Sequence, residues 1–360
     1  MVAIIEKIKV LIADDSALMR KLLKEIIMTD KDLEVVGTAR DGADAIEKAR
    51  ELKPDVVTMD INMPVMDGLT AMQYIMSESP GTPILMVSSL TTEGALTTFE
   101  ALELGAFDYV AKPSGTVSSN LHVVGKEIIE KIKLAYKSGD SGHILDRIKR
   151  RGELQKRKVV KPPPKKPEPS ATNGTKVVAI GISTGGPGTL MEVLPMLPGD
   201  LEAAIVIVQH MPPTFTSSFA KRLDNVCSFP IKEAEAGDVL KNGCGYLARG
   251  GYQLVVRGES GVLRLPSSPN TIFMPSVNVM MESVLSAYRK NTIGVLMTGM
   301  GDDGADAMVK IRQAGGMTIA EDESTAVVFG MPREAIERGG AEIVVPSYKI
   351  AEAIVKAVRR

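Results

Sequence analysis

A chain of 360 residues exceeds one ordinary hydrophobic core, since domains run about 100 to 200 residues, so two compact domains and a connector are implied. Apolar residues make up 44% and charged residues 24%, which excludes a fully disordered chain; 43 Lys and Arg against 44 Asp and Glu leave a net charge of −1, which excludes a whole-molecule field for nucleic acid or membrane. Two cysteines, Cys227 and Cys244, exclude a disulfide framework and fit a reducing cytosol, and no apolar run approaches the roughly 18 residues of a spanning helix. The N-terminal stretch MVAIIEKIKV carries charges and no cleavage signature, so a cytoplasmic location without membrane insertion is expected.

In chain order, five short apolar runs come first: Lys9–Ala13, Leu33–Thr38, Val56–Met59, Ile84–Val87 and Asp108–Ala111. Each precedes about a dozen residues of helical spacing, a pattern that predicts a five-stranded parallel, doubly wound sheet. The strands end in Asp14 and Asp15, in Asp60, in Ser88, and in Lys112 before Pro113, so these groups converge on the carboxyl edge. Three carboxylates repel one another unless a hard cation neutralises them, and Mg²⁺ suits an all-oxygen set. With Lys112 opposite, the cluster is suited to receiving a phosphoryl group on one aspartate. Read singly, Asp15 with Ser16 would do no more than cap a helix; as a set, Asp14, Asp15, Asp60 and Lys112 point to chemistry.

The stretches IADDS, MDINMPVMDG, MVSSL and YVAKP, over residues 8 to about 137, resemble the receiver domain of two-component response regulators. The resemblance implies a flavodoxin-like fold, with Asp60 as phosphoacceptor and Asp14, Asp15 and Asp60 as metal ligands. It further implies Lys112 as the phosphate partner, Ser88 as a hydroxyl switch, Tyr109 as an aromatic switch, and a cis Lys112–Pro113 bond.

From 138 to 175 the periodic apolar pattern stops. Five prolines, Pro162, Pro163, Pro164, Pro167 and Pro169, stand among lysines, which predicts an extended linker. Arg147 to Lys166 holds ten basic residues and one acid, Glu153, a net of +9 concealed by the neutral total. This is a solvated tether or an electrostatic docking segment, with a short helix possible in pattern over 141–158. The domains are thus expected at 1–137 and 176–360.

The second domain repeats the α/β logic with strands at Val177–Ile180, Ala204–Val208, Thr292–Met297, Met317–Ala320 and Glu342–Val345. Three short runs, Gly245–Arg249, Gln253–Arg257 and Gly261–Leu265, read as an antiparallel insert in a mostly parallel sheet. Gly181-x-Ser183-x-Gly185 places a serine on a tight strand-to-helix turn, which fits either an exposed nucleophile beside an oxyanion site or a phosphate-binding loop. Of the three histidines, His122 begins a receiver helix and His143 lies near the linker; only His210 follows a strand on the Ser183 edge. Alone, a histidine after a buried strand is more often a satisfied structural residue; with Ser183 it reads as a base.

A third loop, Gly299-Met300-Gly301-Asp302-Asp303-Gly304, could supply an aspartate to orient the imidazole. It is also formally a dinucleotide fingerprint, with Glu321 at the next strand end, although two carboxylates would repel a pyrophosphate. The order Ser, His, Asp departs from that of α/β-hydrolases.

From about 176 to 358 the chain resembles the catalytic domain of the chemotaxis protein-glutamate methylesterase family, on GISTGGP, VQHMPPTFTSSFAKRLD, LMTGMGDDGADAM and AEDESTAVVFGMPREAI. The resemblance implies Ser183 as nucleophile, His210 as base and then acid, and Asp303 as orienting acid. Thr184 and Met300 become active-site neighbours, with Met300 N–H as an oxyanion donor. It implies hydrolysis of glutamyl methyl esters on chemoreceptors, with glutamine deamidation as a second activity and no cofactor needed for ester hydrolysis. A chemotaxis histidine kinase would be the phosphodonor, and the unphosphorylated receiver would cover the catalytic cleft.

Arg249, Gln253, Met274 and Asn278 depart from residues common in that family (Pro, His, Arg and Asp). They are expected to bear on the substrate groove and not on the triad. The competing reading is a phosphorylation-switched binding module without catalysis. A DNA-binding output is disfavoured because no basic recognition helix is present.

Overall fold

The computed structural model describes residues 6–89, 91–112, 118–139, 170–171 and 176–360. It divides into two compact units, Met1–Arg157 and Lys158–Arg360. The Lys112–Pro113 bond, His143, most of the basic linker and the 141–158 helix lie outside the described residues.

In the first unit β1 (Ile8–Ala13), β2 (Leu33–Ala39), β3 (Val56–Asp60), β4 (Ile84–Ser88) and β5 (Asp108–Ala111) alternate with α1 (Ala17–Ile27), α2 (Gly42–Leu52), α3 (Gly68–Glu78), α4 (Thr92–Leu104) and α5 (Ser118–Gly139). The sheet order is β2-β1-β3-β4-β5, every pairing parallel. Strands β3 and β4 are buried throughout, as helix-covered parallel strands must be. The cap of α1 is Ser16, whose side chain accepts from Met19 N–H, so the capping duty that Asp15 might have had falls to its neighbour. The order reverses at β1 and β3, whose carboxyl ends carry the three aspartates.

The second unit adds β6 (Ser170–Ala171), β7 (Lys176–Ile182), α6 (Gly186–Val193), β8 (Ala203–Gln209), α7 (Pro213–Val226), β9 (Ile231–Glu233), β10 (Lys241–Asn242), β11 (Gly245–Leu247), β12 (Val255–Arg257) and β13 (Val262–Arg264). It continues with α8 (Val277–Tyr288), β14 (Thr292–Leu296), α9 (Ala305–Gln313), β15 (Met317–Glu321), α10 (Met331–Glu337), β16 (Ile343–Val345) and α11 (Ser347–Arg359). Seven strands form one parallel sheet, β16-β15-β14-β7-β8-β11-β9.

Of the three runs expected to be antiparallel, only β12 and β13 pair so. Gly245–Leu247 instead runs parallel to β8 and β9, because its buried Tyr246 and Leu247 extend the main core. Strand β9 was not foreseen, its three residues being too few to show a period. Strand β8 is buried at every position. The strand order reverses at β7, so the loops after β14, β7 and β8 lie side by side at the carboxyl edge.

Candidate functional site

Ser183 follows β7 on a turn that only glycine completes. Gly185 has φ +74°, and a Cβ there would meet the Val327 side chain at 2.4 Å. Gln209, at the end of β8, is buried and donates from Nε2 to the Ser183 carbonyl at 3.0 Å and the His210 carbonyl at 2.9 Å. The amide thus ties the Ser183 turn to the His210 strand. Ser183 N–H donates to Thr298 O at the end of β14, and Thr298 Oγ1 donates to Thr184 O.

The three sequence-chosen residues meet above β7. His210 Nδ1 lies 3.1 Å from Ser183 Oγ, and His210 Nε2 lies 2.9 Å from Asp303 Oδ2. Asp303 also accepts from Ser276 Oγ–H (2.8 Å), Val277 N–H (2.7 Å) and Asn278 N–H (2.9 Å), so its carboxylate caps the first turn of α8. Burial pushes the Asp303 carboxyl up; the His210 hydrogen bond and charge, with the Asn278 and Val277 N–H groups, outweigh it and hold the group below its ordinary value.

An ionised carboxylate only accepts, so the proton of the neutral imidazole sits on Nε2, leaving the Nδ1 lone pair toward the serine hydroxyl. Phe273 stacks on the imidazole face, centroids 4.1 Å apart and planes 8° from parallel.

The Gly299–Gly304 loop lies close to the serine: a Cβ on Gly299 would come within 2.8 Å of Ser183 Cβ. Among the described residues the Thr184 and Met300 backbone N–H groups are not taken up by any turn or loop hydrogen bond, leaving them available to an oxyanion. The nucleotide reading of this loop is not supported by its contacts. Ala305 N–H already donates to Asp302 O and Ala307 N–H to Asn278 Oδ1, occupying the first turn of α9. Asp302 is exposed and paired with Arg338 at 2.7 Å. Glu321 is buried, accepting from Thr298 N–H and Thr325 Oγ1–H.

The departures expected to lie in the groove include two that stand behind the triad. Asn278 holds Asp303 through its backbone, and the fully buried Gln253 accepts from Ser276 N–H at 2.9 Å. Both contacts depend on a loop folding back onto α8, which sequence spacing does not reveal. Arg249 is exposed over the Tyr252 ring, and Met274 O accepts from Gly251 N–H. Phe273, Ser276, Gln209 and Thr298 were not singled out from sequence. Only Ser276 carried a signal, as a serine before an apolar helix.

In the first unit, Lys112 Nζ lies 2.8 Å from both Asp14 Oδ2 and Asp60 Oδ2. One carboxylate oxygen from each of Asp14, Asp15 and Asp60 falls within a 4.8 Å cluster. Two of these aspartates are buried and Asp15 is exposed, so the set fits a divalent cation reached from one open side. Burial raises the Asp60 carboxyl above its usual range despite Lys112, with Asp14 adding to the rise. Lys112 is raised, because hydrogen bonds to Asp14 and Asp60 outweigh desolvation. Ser88 is buried and engaged with α4: Thr98 Oγ1–H donates to it at 2.8 Å, and it reaches Gly94 O at 3.3 Å. Tyr109 is buried under the Lys131 ammonium, 5.3 Å from the ring centroid.

Among the described residues no helix is long and apolar enough to cross a membrane. Comparison with known families matches residues 178–354 to CheB methylesterase and residues 10–121 to the response regulator receiver domain. A protein-glutamate methylesterase/protein-glutamine glutaminase from Syntrophomonas wolfei is 56% identical over 98% of this chain and all of its own. One of the same description from Caldanaerobacter subterraneus is 53% identical over 98% of this chain and 97% of its own. The solved CheB methylesterase catalytic domain of Thermotoga maritima is 43% identical, with a TM-score of 0.49, over 51% of this chain and 98% of that one. With its receiver domain ahead of its catalytic domain, the chain belongs to the CheB protein-glutamate methylesterase/protein-glutamine glutaminase family.

Proposed function

We propose that the chain hydrolyses glutamyl methyl esters on chemoreceptors, and deamidates receptor glutamines, under control of phosphorylation at Asp60. The observation that carries the hydrolytic half is the relay from Ser183 Oγ through the imidazole to Asp303, at 3.1 and 2.9 Å. His210 Nδ1 takes the hydroxyl proton as Ser183 Oγ attacks the γ-carbonyl, and the Nε2–H bond to Asp303 stabilises the imidazolium. The Met300 and Thr184 N–H groups would receive the oxyanion. The imidazolium returns its proton to the leaving methoxide, methanol departs, and a water activated by His210 hydrolyses the acyl-enzyme. With a glutamine side chain, ammonia leaves in place of methanol.

In the receiver, Asp60 would accept the phosphoryl group from a chemotaxis histidine kinase, with Lys112 pairing its oxygens and Ser88 turning from Thr98 to follow it. Asp14, Asp15 and Asp60 would hold Mg²⁺, which supplies charge neutralisation for the incoming phosphoryl oxygens. Residues 138–175 would serve as the linker, and the protein would work in the cytoplasm, where kinase and receptor tails meet. Methanol release from methylated receptor membranes tests the hydrolytic half: Ser183→Ala should lose about 10⁴-fold or more in kcat. Release at the wild-type rate would contradict it.

A further inference from the structure

The connector from Leu265 to Ser276 between β13 and α8 has no regular structure, yet it delivers two groups to the catalytic machinery. Phe273 stacks on the His210 ring, and Ser276 Oγ–H donates to Asp303 Oδ1. A twelve-residue connector of this kind is free to wander unless something fixes it from within.

The fixing group is the Gln253 carboxamide, which is fully buried. Nε2 donates to Pro269 O at 3.0 Å and Thr271 Oγ1 at 2.8 Å, while Oε1 accepts from Ser276 N–H. Thr271 Oγ1–H in turn donates to Phe273 O. The Gln253 backbone N–H donates to Pro266 O, and Gly251 N–H donates to Met274 O. A primary amide alone offers two donors and an acceptor on one rigid plane, and all three are used here on one segment.

We propose that Gln253 is a positioning residue of the hydrolytic site, setting the imidazole plane through Phe273 and the seat of Asp303 through Ser276. The proposal rests on the Ser183, His210 and Asp303 roles given above. Gln253 is fully buried and bonds to none of Ser183, His210 and Asp303, so its removal should misplace the relay and leave substrate binding nearly intact. A displacement of about 1 Å in such a relay costs on the order of 10²-fold in rate.

The test is methanol release by the full-length chain with methylated receptor membranes, run with urea unfolding of each protein. Gln253→Met keeps the volume and removes every side-chain hydrogen bond of the carboxamide, the long one from Nε2 to Phe273 O at 3.5 Å included. We expect kcat to fall about 10- to 100-fold with KM changed less than about threefold, and the acidic limb of the kcat/KM profile to move. Thr271→Val removes the hydroxyl that links Gln253 Nε2 to the Phe273 carbonyl and leaves the Gln253 bonds to Pro269 O and Ser276 N–H in place, so a smaller loss of the same kind is expected. This variant decides the matter if Gln253→Met fails to fold. Wild-type kcat and an unmoved acidic limb in the folded Gln253→Met protein, or in Thr271→Val when that variant decides, would overturn the proposal. So would a loss that disappears under conditions where the variants are fully folded. Ser183→Ala run alongside separates the two readings: activity retained there overturns the triad itself, whereas an inactive Ser183→Ala with a fully active Gln253→Met overturns only the Gln253 role.

Discussion

Asp303 answers to two demands at once, and its surroundings decide both. Its oxygens close the first turn of α8 and hold the imidazole tautomer, so the carboxylate must stay ionised. Asp303→Asn keeps the shape and reverses the hydrogen-bond polarity at Nε2, and kcat should fall about 10⁴-fold. Because its value in the folded chain lies below the unfolded value of about 3.9, ionisation stabilises the fold. That contribution is complete above the unfolded value and is lost as pH falls through the folded one. The urea midpoints of wild type and Asp303→Asn should therefore differ at neutral pH and converge below about pH 4; a gap that widened on acidification would contradict the ionised assignment. Gly299→Ala would drive a methyl group against the buried Met331 side chain and against Ser183 Cβ, so about 10²-fold loss of kcat in single-turnover assays together with a lowered urea midpoint is expected.

At the scale of elements, the receiver contains a buried polar clasp between β5 and α5. Lys131 Nζ pairs with Asp108 and Glu127 at 3.0 Å each and donates to Tyr109 O. Burial raises the Asp108 carboxyl, while the paired acids raise Lys131 against its own desolvation. Lys131→Met would leave Asp108 buried without its cation, at a cost of about 3 kcal/mol, and adding Asp108→Asn should restore part of it. Urea midpoints of wild type and the two variants check this; a Lys131→Met midpoint equal to that of wild type would show that the clasp contributes little. Elements were also where the sequence was most legible. The apolar runs of β1, β3, β4, β7, β8 and β14 announced themselves because both faces of a parallel sheet are covered. Strand β9 was silent, and β11 was assigned to the wrong neighbours, because three-residue strands take their partners from tertiary packing.

For the whole molecule, the Ser183, His210 and Asp303 cluster could be read from strand ends, because parallel topology brings the loops after β14, β7 and β8 to one edge. The groups that hold them could not. Gln209, Thr298, Phe273 and Gln253 act through backbone carbonyls and loop conformation, which leave no spacing rule in the chain. Neutral net charge likewise concealed the +9 stretch from Arg147 to Lys166, which only a segment-by-segment count reveals. The account's central claim joins two chemistries on one chain: phosphoryl acceptance at Asp60 and ester hydrolysis at Ser183. Methanol release from methylated receptor membranes, with and without a small phosphodonor and Mg²⁺, tests it most directly on wild type, Asp60→Ala and Ser183→Ala. The account predicts stimulation of wild type, an unstimulated basal rate for Asp60→Ala, and no release by Ser183→Ala. Equal stimulation of Asp60→Ala and wild type, or release by Ser183→Ala, would contradict it.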